Sequence, residues 1–72
     1  MGGPVKFGIL GLGRGAKLAK TAAKTEGAEL ACVCDLQEAL ARKLAEELNC
    51  EWTVDYAEML SRDDIDAIGV FT

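Results

Sequence analysis

The sequence predicts an α/β domain: a parallel sheet lying between two layers of helices. Three observations predict it. Short apolar runs alternate with helix-forming stretches from one end of the chain to the other, and that alternation implies parallel strands joined by right-handed crossovers. The runs are rich in apolar residues, as strands covered on both faces require. A cluster of glycines stands where the first apolar run gives way to the first helical one, a junction that needs a sharp turn.

The elements follow in order. Val5-Lys6-Phe7-Gly8-Ile9-Leu10 reads as a first strand stopped by glycines. From Arg14 to about Glu26 the Ala, Lys, Leu and Thr residues make good helix material, and Gly27 stands where a terminating glycine is expected. Glu29-Leu30-Ala31-Cys32-Val33-Cys34 reads as the second strand, closed by Asp35. Leu36, Leu40, Leu44 and Leu48 then recur every four residues, with charged residues on the other faces, which is the pattern of an amphipathic helix. Asn49 is its stop. Glu51-Trp52-Thr53 is a short extended piece, and Asp55 caps a brief helix running through Met59 and Leu60. Arg62-Asp63-Asp64 is a turn, and Ile65 to Phe71 reads as the last strand. The order is βαβαβαβ, with an expected strand order of 3-2-1-4, the opening portion of a doubly wound, three-layer sheet. Such a sheet continues beyond its fourth strand, so residues 1–72 are expected to be the N-terminal half of the domain.

Composition narrows the class. Half of the 72 residues are apolar, which suits a packed core and argues against disorder. The net charge of −4 comes from twelve acidic and eight basic residues. A nucleic-acid partner is not expected, because binding to phosphates usually needs a basic stripe. The apolar runs are too short for a membrane span, and Met1-Gly2-Gly3-Pro4 has none of the features of a secretory leader. Three cysteines give an odd count without disulfide-scaffold density. The expected compartment is the cytoplasm.

Gly11-Leu12-Gly13-Arg14-Gly15-Ala16 carries the chemistry. It matches G-x-G-x-x-A, the Ala-ended form of the dinucleotide-binding fingerprint. Gly11 permits the tight turn, and Gly13 lacks a Cβ so that the backbone can approach a pyrophosphate. Ala16 is small enough for the helix and strand to pack closely. The free N–H groups at the helix start then face the anion, aided by the helix dipole, and Arg14 is placed to add a charged contact. A carboxylate ends the second strand at Asp35, where it can accept the ribose hydroxyls of an adenosine; a 2′-phosphate would meet like charge, so NAD is expected over NADP. The same carboxylate is also suited to cap the helix that follows. A phosphate-binding P-loop is excluded, because Lys-Ser or Lys-Thr does not follow the last glycine: the residues there are Ala16-Lys17-Leu18. Methyltransferases of similar topology carry an acid just before their glycines, and Phe7-Gly8-Ile9-Leu10 has none.

The chain resembles the N-terminal Rossmann domain of the Gfo/Idh/MocA oxidoreductases. The segments that carry the likeness are FGILGLGRGA, AELACVCD, ARKLAEELN and VDYAEMLSRDDIDAIGVFT, which together span nearly the whole chain. The resemblance implies a two-domain enzyme that uses NAD or NADP to oxidise or reduce a sugar, a cyclitol or a related small molecule. It implies cofactor-binding roles for Gly11, Leu12, Gly13, Arg14, Gly15, Ala16 and Asp35, and it matches Thr72 to a Thr that the family places after its fourth strand. The family's catalytic Lys, in a Glu-Lys-Pro motif, and its later Asp and His have no counterpart here, and the chain contains no His. By itself it is expected to be catalytically inert.

The other conspicuous residues read as structure. Cys32 and Cys34 lie two apart on a strand and suit small buried hydrophobes better than metal ligands. Trp52 and Tyr56 suit packing between the third strand and its helix, and Lys17, Lys20 and Lys24 a solvated helix face. Two further readings stay open on sequence grounds: a non-catalytic nucleotide-sensing or self-associating module, and a structural fragment that binds nothing. The first draws on the apolar surface that a missing half would leave, which is open to a second copy of the chain.

Overall fold

The computed structural model describes residues 3–71. Strands β1 (Val5–Leu10), β2 (Ala28–Cys34), β3 (Glu51–Thr53) and β4 (Ala67–Val70) alternate with helices α1 (Leu12–Lys24), α2 (Glu38–Leu48) and α3 (Tyr56–Leu60). The strands pair in parallel as one sheet in the order β3-β2-β1-β4. Fold class, element order and strand order are those the sequence predicts.

The pairing of β1 with β2 holds a feature the alternation pattern does not reveal. Phe7 stands opposite Leu30 but Gly8 stands opposite Cys32, so Ala31 is an extra residue in β2. Such a bulge reverses which side chains face which way. As a result Leu30 and Val33, three apart, both enter one core with Ile9, Leu12, Ala19, Ala41, Leu44 and Ala45 from β1, α1 and α2. Cys32 and Cys34 face the opposite side and pack with Leu10 and Met59 beneath α3, as small buried hydrophobes.

Three boundaries or contacts differ from expectation. Helix α1 starts at Leu12, ahead of Arg14, because Gly11 takes a left-handed φ of 92° and turns the chain at once into the helix. Helix α2 starts only at Glu38, and Leu36 is 71% exposed instead of leading the apolar stripe. The Asp35 carboxylate takes the Gln37 N–H at 2.8 Å, and this turn points Leu36 away from the core. The stripe that does pack runs through Leu40, Leu44 and Leu48, widened by Ala41 and Ala45. Trp52 lies on the edge strand β3 and is exposed, not packed under a helix, whereas Tyr56 packs against the smaller core. Lys17 and Lys24 are exposed as expected. Lys20, also exposed, reaches Glu47 of α2 at 3.7 Å.

Termination is also local. Asn49 ends α2 in the left-handed region at φ 58°. Asp55 caps α3, accepting the N–H groups of Ala57 and Glu58 at 2.9 and 3.3 Å. Among the described residues no helix is long and apolar enough to cross a membrane.

Candidate dinucleotide site

The site forms at the C-terminal ends of β1 and β2, where α1 begins. The Gly11 N–H donates to the Cys34 carbonyl at 2.9 Å, tying the turn to β2, and the Gly15 N–H closes the first helical bond on the Gly11 carbonyl at 3.0 Å. Gly11 offers no side-chain cap. The opening amides of α1 therefore need acceptors from elsewhere. Leu12 finds one within the protein: its N–H donates to Asp35 Oδ2 at 2.8 Å. Among the described residues the N–H groups of Gly13 and Arg14 have no protein acceptor.

The glycines of the loop separate by what surrounds them. A Cβ built on Gly13 meets nothing within 4 Å, so the space above it is open. Packing within the protein gives no reason for a glycine at that position. Gly15 is the reverse case: its Cβ would stand 2.8 Å from Ile9 Cγ2 and 2.9 Å from Phe71 Cδ2. The residue that lets α1 close on β1 is thus Gly15, not Ala16, which is half-buried against the larger core. The spacing of the motif could not separate the two, since both are small and adjacent. Phe71 was not singled out by the sequence. Its N–H donates to the Leu10 carbonyl at 2.8 Å, continuing the pairing of β4 past the end of the strand, and its ring backs the glycine turn.

Asp35 lies beside this turn and is half-buried. Its Oδ2 takes Leu12 and its Oδ1 takes Gln37, each at 2.8 Å, while its own N–H donates to the Thr53 carbonyl at 3.3 Å. It caps neither helix from the adjacent N-cap position: that of α2 is Gln37, which makes no side-chain cap. A carboxylate offers about four acceptor positions, so two remain for an incoming hydroxyl pair. Leu12 itself is buried and its N–H is engaged. The side chain of Arg14 is exposed at the helix start, and Thr72 lies outside the described residues. Next to Asp35, burial pushes the Cys34 thiol up to about 11, which keeps it neutral beneath the turn.

The residues present fit a dinucleotide. Two N–H groups without acceptors open a helix, the space over Gly13 is clear, and a carboxylate stands alongside. A strand–glycine turn–helix unit in a parallel sheet, followed by an acid at the end of the next strand, defines the nucleotide-binding class of α/β folds.

Comparison with known proteins agrees. Residues 5–72 match the model of an oxidoreductase family with an NAD-binding Rossmann fold, and the chain belongs to that family, the Gfo/Idh/MocA oxidoreductases. A myo-inositol dehydrogenase from Corynebacterium glutamicum is 30% identical, with a TM-score of 0.87 over 96% of this chain and 21% of its own. The scyllo-inositol dehydrogenase of Lactobacillus casei, solved with NAD(H) and scyllo-inositol, is 32% identical, with a TM-score of 0.84 over 96% of this chain and 21% of its own. A 3-ketoreductase variant from Actinomadura kijaniata, solved with NADP, shares the fold with a TM-score of 0.85 at 22% identity, over 96% of this chain and 23% of its own. The chain thus spans about a fifth of the length of these structures. No curated protein matches it.

Proposed function

We propose that the chain is the opening part of the dinucleotide-binding domain of an oxidoreductase acting on a cyclitol, a sugar or a similar polyol, and that it prefers NAD to NADP. The observation that carries the reading is the glycine turn at the start of α1: nothing stands within 4 Å of a Cβ at Gly13, the N–H groups of Gly13 and Arg14 have no protein acceptor among the described residues, and Asp35 holds the Leu12 N–H next to them. The diphosphate would accept from those two amides at the positive end of α1. Asp35 would accept the adenosine ribose hydroxyls on its two remaining positions, and its charge would oppose a 2′-phosphate. Gly11 and Gly15 shape the turn and seat the helix. The bound cofactor supplies the hydride chemistry, while this chain's residues bind and orient it. Kinship with inositol dehydrogenases supports the polyol substrate class, and free thiols at Cys32, Cys34 and Cys50 fit a reducing compartment such as the cytoplasm.

Calorimetric titration of the 72-residue chain with NADH and NADPH tests the proposal. The expected result is heat from both, with NADH tighter by roughly tenfold, the equivalent of about 1.4 kcal/mol. Equal or tighter binding of NADPH would remove the preference, and no binding of either would remove the cofactor.

A further inference from the structure

We infer that Asp35 is a positioning residue for the phosphate-binding turn as well as a ligand for the ribose. The inference deepens the nucleotide reading and partly rests on it. Ribose recognition requires only that the carboxylate face the ligand, yet both of its oxygens already hold backbone. Oδ2 takes Leu12, the first residue of α1, and Oδ1 takes Gln37, the residue before α2. One side chain therefore caps the start of α1 from another strand and fixes the β2–α2 loop in the same act. Gly11 has no side chain with which to cap α1 and sits at φ 92°, a region open to several neighbouring conformations for glycine. Among the described residues, the Gly11 bond to Cys34 and the Leu12 bond to Asp35 tie this turn to the end of β2 and the residue after it. The second also occupies the Leu12 amide, leaving those of Gly13 and Arg14 as the anion-facing pair.

The consequence separates from ribose binding by sign. If Asp35 touched only the sugar, its neutralisation would leave a ligand without ribose hydroxyls unaffected, or would strengthen it by removing a negative charge near the diphosphate. If Asp35 holds the turn, the same change loosens the phosphate site and weakens that ligand. The loss follows the fraction of molecules whose turn remains competent.

The probes are ADP and 2′,3′-dideoxy-ADP, titrated into the wild-type chain and the Asp35→Asn and Asp35→Ala variants. Amide hydrogen exchange is measured on each without ligand. Asn is isosteric and keeps one acceptor, which guards against a variant that fails to fold. Both variants are expected to bind dideoxy-ADP more weakly, by roughly tenfold if the competent fraction falls to about a tenth. Leu12 or Gln37 should exchange faster in Asp35→Asn, and both in Asp35→Ala, with β1 and β2 unchanged. Unchanged or stronger dideoxy-ADP binding overturns the inference, as does unaltered exchange at both amides. If neither nucleotide binds the wild type while exchange still depends on Asp35, the nucleotide reading fails and the positioning role stands.

Discussion

Gly13 and Gly15 are two positions apart in one helix turn and do opposite work. Gly13 faces open space, so a side chain there meets no protein atom. Gly15 faces Ile9, which is fully buried, and the ring of Phe71. Gly13→Val is expected to abolish NADH binding in the calorimeter while urea unfolding stays within about 1 kcal/mol of wild type. Gly15→Ala is expected to lower unfolding free energy by about 1–3 kcal/mol through overpacking. Reversal of that pattern would mean the two roles are exchanged. The turn at Gly11 and the acid Asp35 at the end of the second strand were legible, because each answers to a fixed feature of the fingerprint. The sequence could not tell Gly15 from Ala16, nor show that the Leu12 amide is engaged, because those facts depend on contacts with Ile9, Phe71 and Asp35 that only the folded chain makes.

Among the elements, helix ends are legible where a cap residue marks them and not where an apolar period runs past the turn. Asp55 caps α3 from the neighbouring position and was legible as such. Asp55→Ala is expected to cost about 1 kcal/mol in chemical denaturation, and no measurable loss would show that α3 is held by its packing and not by its cap. The start of α2 was misplaced because the leucine period runs back through Leu36, whereas the bond from Gln37 to Asp35 turns the chain first. The bulge at Ala31 left no mark in composition, since Leu-Ala-Cys-Val reads as apolar in either register. The turn after α3 is tied to β3 by contacts that charge counting does not reveal. Arg62 donates to both oxygens of Asp64 at 2.9 and 2.7 Å and pairs with Glu51 of β3 at 2.6 Å, and its guanidinium holds the Asp64 carboxyl below its ordinary range.

Taken as a whole, the molecule is one sheet with unequal covering: α1 and α2 on one face, a five-residue α3 on the other. Desolvation raises the thiols Cys34 and Cys50 to about 11 from an ordinary value of 9.0. For a group raised on folding, the stabilisation is complete below the unfolded value and fades as pH climbs through the folded one. Stability is therefore expected to decline between pH 9.0 and about 11. A Cys34→Ala, Cys50→Ala double variant should flatten that decline in urea melts followed across this window, and an identical slope would place its cause elsewhere.

The unequal covering also distributes the three thiols between the two faces. Cys50 belongs to the thicker layer, while Cys32 and Cys34 lie behind the thinner one. Cys32 and Cys34 are buried and Cys50 is half-buried, so a thiol reagent is expected to modify Cys50 first when labelling is followed by mass spectrometry.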